Sequence, residues 1–249
     1  LYEKLRNKPK IKIIFTLLAV YFILIEFILP PSKYLPSFSI IYDSLNSLIN
    51  EFALLTELSE FLAFVYVPLL IVLLFFYSLR KYVIIMFLRF SKLFEIVSFF
   101  WFLPAVFILF YAALIINHTA SAEIFISVIV SSGLLKYFII KKLGEIDDTY
   151  ALAAKGLGIP VNRIYSEVIS KQILPFIKEK VLFIHIILLN VLLIYEIINR
   201  EFLGYIYYQL YSFKDSSGIL SLTILLWIIF GMNHLLLKYI LNKFIYWEE

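Results

Sequence analysis

Six stretches of this 249-residue chain are apolar for long enough to cross a bilayer. They run roughly over 13–29, 61–79, 96–116, 124–140, 181–198 and 219–237. A spanning helix needs about 20 mostly apolar residues. The runs are continuous and do not alternate with period two, so they predict helices and not a membrane barrel. With 63% hydrophobic and 16% charged residues, the chain carries more apolar surface than one soluble core of this size can bury. A typical cytosolic enzyme, a nucleic-acid-binding protein and a disordered chain are thereby excluded. The fold class expected is all-α and integral to a membrane, a single transmembrane domain over 1–249.

The basic residues orient the spans. Five (Lys4, Arg6, Lys8, Lys10, Lys12) precede or open the first run, and four (Arg80, Lys81, Arg89, Lys92) lie between the second and third. Eight lie from the end of the fourth to the start of the fifth: Lys136, Lys141, Lys142, Lys155, Arg163, Lys171, Lys178 and Lys180. Lys238 and Lys243 follow the sixth, which makes 19 of the 22 Lys and Arg. Only Lys33, Arg200 and Lys214 fall in the alternate loops. The positive-inside rule then predicts both termini in the cytoplasm. It also explains the pI near 9.0 without nucleic acid. The first run has a basic leader, but its end at Phe27-Ile28-Leu29-Pro30-Pro31 lacks a small-x-small cleavage pattern, so a retained helix is expected.

Between the runs, a short outer helix is expected over about 40–52. The segment 82–94 is too short to span and is read as an inner interfacial helix. Pro104 is expected to kink the third span. The inner loop 141–180 is long and moderately polar. In it, Asp147 or Asp148 is a helix N-cap candidate, Gly158 a C′ candidate, and Pro160 stops the chain from continuing as helix. Tyr150, Ala153, Ala154 and Leu157 fall at i, i+3, i+4 and i+7, one apolar stripe with small residues that allow close approach. Such a helix either docks a partner or packs on its own protein.

This loop resembles the signature of permease subunits of ATP-binding-cassette (ABC) importers. That signature is Glu-Ala-Ala, three residues to a Gly, and a Pro some seventeen later. Ala153-Ala154-Lys155-Gly156-Leu157-Gly158 matches it, followed at the family's spacing by Arg163, Tyr165, Val168 and Pro175. Leu152 stands where the family has Glu, and Ile159-Pro160 replaces the small residue after the Gly. Pro36-Ser37-Phe38-Ser39, Phe102-Leu103-Pro104-Ala105, and Glu196 with Phe202-Leu203-Gly204-Tyr205-Ile206 resemble segments of the nitrate/sulfonate/taurine branch. The resemblance implies a type I importer fold of six spans and a homodimer of permeases in the inner membrane. It implies two cytoplasmic ATPase subunits docked on the inner loops, and a periplasmic or surface solute-binding protein. The cargo implied is a small solute, such as anionic nitrate, sulfonate or taurine, or a vitamin precursor. Asp148, Tyr150, Ala153, Ala154, Gly156, Leu157, Gly158 and Arg163 are then the residues expected to couple the chain to its ATPase.

The chain itself has little catalytic chemistry. No Gly-x-x-x-x-Gly-Lys-Ser/Thr loop exists to cradle ATP phosphates, so ATP is expected on the partner and no cofactor on this chain. His118, His185 and His234 lack neighbours at metal-ligand spacing, there is no Cys, and no metal is expected. No nucleophile elbow appears, so no enzyme activity is expected. Polar residues inside spans are costly and mark functional candidates. The fifth run carries His185, Asn190 and Glu196. His185 and Glu196 lie eleven residues apart, about 20° apart around a helix. They line a solute pathway or else make interhelical hydrogen bonds, with Glu196 alternatively exposed near the outer headgroups. Ser131-Ser132-Gly133, Thr223 and Gly231 read as small-residue packing positions. Two other readings remain open: a non-transporting scaffold or sensor that keeps the permease fold and its dock, and a stand-alone secondary carrier, for which no inverted repeat is found.

Overall fold

The computed structural model of the chain describes residues 13, 16–17, 19–20, 22–28, 36–89, 119–146, 148–160 and 163–244. All regular structure among them is helical. The helices are α1 (Phe38–Glu51), α2 (Leu54–Arg89), α3 (Thr119–Glu145), α4 (Asp148–Gly156), α5 (Ser170–Asn199), α6 (Phe202–Ser212) and α7 (Ser216–Phe244), with π-helical segments at Leu24–Ile28 and Ile164–Ile169. Four stretches are long and apolar enough to span: Leu54–Met86, Ala120–Glu145, Ser170–Asn199 and Ser216–Lys243. They make the chain a multi-pass membrane protein and match the second, fourth, fifth and sixth apolar runs. The first run is described in part. The third, with Pro104, lies outside the described residues, as does Asp147.

Two boundaries differ from the sequence reading. The segment 82–94 was expected as a separate interfacial helix, but its described part, 82–89, continues α2 without a break, and 90–94 lie outside the described residues. No Gly or Pro interrupts the chain between Leu79 and Arg89, so nothing ends the helix where its apolar run ends. At 36 residues α2 is about 54 Å long, more than a hydrocarbon core of about 30 Å. Arg80 lies over the Tyr77 ring at 4.8 Å and Lys81 near the Tyr82 ring at 5.9 Å, the residue pairing expected at headgroup level. The second difference is α5, which begins at Ser170, well before the apolar run starting at 181. Ser170, Ile173, Ile177, Val181 and Ile184 are all buried, a helical period that continuous apolarity does not report. The short outer helix appears as α1, close to its expected place.

The chain divides into two compact units. The first holds residues 1–56 and 206–228. There the Glu26 carboxylate accepts the backbone N–H of Phe38 at 2.7 Å and of Ser39 at 3.3 Å, so it caps α1 from twelve residues upstream. Ser221 Oγ donates to the Ile41 carbonyl at 3.1 Å and ties α7 to α1. Asp215 caps α7 locally, accepting Gly218 N–H at 3.0 Å and Ser217 Oγ–H at 2.6 Å.

The second unit holds residues 57–205 and 229–249. Its centre is α3 packed along α5. Ile126, Leu135 and Ile139 of α3 and Leu188, Leu189 and Leu192 of α5 are buried. At the end of α3 that carries Lys142, the Phe138 ring meets Phe176 and Phe183 edge-on. Lys142 lies 5.5 Å and Lys180 5.0 Å from the Phe176 ring. Long exposed apolar side chains such as Leu74, Phe75, Trp227 and Leu235 give the spans the surface that lipid covers.

Candidate functional site

α4 is a nine-residue helix between two spans. Its C-terminus closes as a Schellman motif: Ile159 N–H bonds the Ala154 carbonyl at 3.1 Å and Gly158 N–H the Lys155 carbonyl at 3.0 Å. Gly158 takes φ +74°, the left-handed conformation that a C′ glycine supplies. The expected apolar stripe divides. Ala154 is buried, and α4 packs on the π-helical segment Ile164–Ile169. Ala153, Gly156 and Gly158 are exposed, as is Arg163 beyond the turn. Leu157 is 81% exposed and Leu152 65%. Asp148 opens the helix, and Tyr150 lies in its first turn; their side chains lie outside what is described. Among its described side chains the helix thus buries one small residue and leaves two leucines open.

The intramembrane candidates lie on α5. His185 and Glu196 are fully buried, as their shared face predicts. Asn190 is exposed and its Nδ2 donates to the Ile186 carbonyl at 2.7 Å, so it does not join them. His185 Nε2 shares a 2.6 Å hydrogen bond with the Tyr66 hydroxyl of α2, and the two rings stack at 5.4 Å. The His234 ring of α7 stacks on the other side, 5.9 Å away. Three spans therefore meet at a Tyr–His–His group. Neither His185 Nδ1 nor His234 Nδ1 has a hydrogen-bond partner among the described residues.

Glu196 occupies a tight corner. Arg200 and Phe202, both non-glycine, have positive φ as the chain turns from α5 into α6. Glu196 Oε2 accepts the Leu203 N–H at 3.1 Å, so a buried carboxylate caps α6. Its backbone carbonyl accepts the N–H of Glu201 at 3.2 Å and that of Arg200. The other carboxylate oxygen, Oε1, has no partner. Exposure near the headgroups is therefore not the role of Glu196.

Sequence reasoning missed Glu123 of α3. It is fully buried, and both its carboxylate oxygens lack hydrogen-bond partners among the described residues. It lies near enough to Glu196 for the two charges to interact. The fourth apolar run was cut at 124, one residue past it. The pattern Glu123, Ser127, Ser131 at i, i+4 and i+8 marks one helix face, and all three are buried. Ser131 Oγ and Ser132 Oγ donate to carbonyls of their own helix, at Ser127 and Ile129, and Thr223 Oγ1 does the same at Ile219. Gly231, expected to pack closely, has nothing within 4 Å of a notional Cβ. No group of three or more His, Asp and Glu among the described residues is placed to hold a metal ion.

No family model, curated protein or solved structure matches the chain.

Proposed function

We propose that this chain is the transmembrane permease subunit of an ABC importer. In this reading two copies form a pathway through the cytoplasmic membrane, both termini lie inside, and the third and first apolar runs complete six spans. Separate ATPase subunits bind the inner loops and drive alternating access for a small solute.

The observation that carries the reading is α4. A nine-residue helix is marginal alone and gains stability by burying a face. Among its described side chains α4 buries only Ala154, and it exposes Leu152 and Leu157. Its Schellman turn ends it just before Pro160, in the loop that on this reading faces the cytoplasm because Lys and Arg concentrate there. A groove on an ATPase is the surface such a helix fits, and the Ala153–Gly158 signature gives the same partner. Leu152 in place of the family Glu keeps a second reading, the non-transporting scaffold, in view. Purification of the chain from its host's membranes in mild detergent tests the first reading: an ABC ATPase in stoichiometric amount supports it, and its absence removes it. Solute-stimulated ATP hydrolysis separates importer from scaffold.

A further inference from the structure

Polar atoms buried without partners are rare in folded proteins, and each one calls for a physical account. In the second unit several of them lie on α3 and on α5, which packs along it. Both oxygens of Glu123, Oε1 of Glu196 and Oγ of Ser127 are buried and unbonded among the described residues. Ser127 stands one helical turn from Glu123 on the same side of α3. Tyr195, fully buried, lies within electrostatic reach of Glu123 and Glu201. The charged groups acting on Glu123 are Glu201 and Glu60, and those acting on Glu196 are Glu123 and Glu57. These named groups, all among the described residues, are acidic. An unpaired buried carboxylate costs several kcal/mol, and a second one beside it adds repulsion. A positive charge bound between them would relieve both.

We propose that the buried face carrying Glu123, Ser127 and Glu196, between α3 and α5, binds the positively charged group of a small organic solute, an ammonium or an amidinium. Of the unbonded groups there that are not carboxylates, the Tyr195 hydroxyl and Ser127 Oγ, the latter shares the α3 face of Glu123. With the carboxylate oxygens around it, it offers acceptors spread over a helical turn. That spread suits a cation of several N–H donors better than a bare metal ion, for which the described carboxylates do not converge. The residues sit at the start of α2, the start of α3 and the end of α5, the ends that face outward when the basic loops face the cytoplasm. A solute reaching the membrane from outside meets this face first. The same charge disfavours nitrate and sulfonate as cargo. That the bound cation is also the transported solute rests on the permease reading; that a cation binds here does not.

Equilibrium dialysis of the full chain in detergent tests it, with benzamidinium chloride and ethylammonium chloride as probes against sodium chloride at equal ionic strength. The expected result is one probe bound per chain at millimolar or lower concentration. Glu123→Gln should weaken binding about tenfold, the loss of one charge-assisted contact. Glu196→Gln keeps an acceptor for the Leu203 N–H and should weaken it similarly. Glu60→Gln, at a more peripheral carboxylate, serves where Glu123→Gln does not yield a monodisperse protein. No stoichiometric binding of either probe by the wild-type chain overturns the proposal. So does binding that sodium displaces as well as benzamidinium does, or binding unchanged in the Gln variants. A chain that binds a probe but brings down no ATPase keeps the cation site and loses the permease. One that brings down the ATPase and binds neither probe does the reverse.

Discussion

The backbone carbonyl of Glu196 lies where a side chain on residue 204 would have to begin, so Gly204 is the residue that lets α6 start against the end of α5. The nearest atoms to a notional Cβ there are backbone atoms of Glu196 and Ile197, which cannot swing aside. The same approach brings the Leu203 N–H onto the Glu196 carboxylate.

Gly204→Ala should therefore destabilise the chain by about 2 kcal/mol or more, since backbone must move to admit the methyl group. Gly231→Ala is the comparison. It sits in α7 with nothing within 4 Å, and alanine there should be neutral or stabilising by up to about 1 kcal/mol. Apparent melting in detergent, followed by loss of the monodisperse chromatographic peak, should place the first well below wild type and the second at or above it.

Tyr66 and His185 should couple. Tyr66→Phe leaves a buried imidazole nitrogen without its partner, at a cost of about 1–3 kcal/mol. His185→Ala should cost as much or more, because a fully buried ring is also lost. The double variant should be less destabilised than the sum of the two by about 1 kcal/mol. Strict additivity in melting would show that the 2.6 Å hydrogen bond contributes nothing.

Glycines at the end of α4 should differ in sign. Gly158 has φ +74° with open space around it, so Gly158→Ala suffers backbone strain and not collision, about 1 kcal/mol. Gly156 is the last helical residue, also in open space, and Gly156→Ala should strengthen the helix. Tryptic cleavage after Lys155, timed by mass spectrometry, should be faster than wild type in the first and slower in the second.

What the sequence made legible follows from period and punctuation. Four of the six apolar runs are helices long enough to span, and the Gly158 turn follows from a glycine ahead of a proline. Where α2 and α5 reach past their apolar runs, apolarity is the wrong guide. Arg80 and Lys81 do not stop a helix, and residues 170–180 alternate buried and exposed with helical period. The burial of His185 and Glu196 was readable from their shared face. Their partners were not, because Tyr66, Glu123 and Leu203 come from distant chain or across a turn with two non-glycine residues at positive φ. Of that turn, only the glycine at 204 is legible locally; the positive φ of Arg200 and Phe202 is not.

Orientation is open to direct labelling. The chain has no native Cys, so single introduced cysteines report without background. A Cys at position 33 or 214 should react with an impermeant maleimide applied to intact cells, and one at 142 only after permeabilisation. The opposite pattern would invert the chain and place α4 outside, away from any ATPase.

The most direct test of the permease reading is ATPase retention by a chain altered only on the open side of α4. Leu152→Lys with Leu157→Lys adds charge at two exposed positions and touches no span, so membrane insertion and chromatographic behaviour should remain those of wild type. Affinity-purified wild-type chain should carry an ABC ATPase in near-stoichiometric amount, and the double variant should lose at least about nine-tenths of it, the loss expected when a hot-spot contact costs 1.4 kcal/mol or more. Equal ATPase in both preparations, or none in the wild type, would contradict the account.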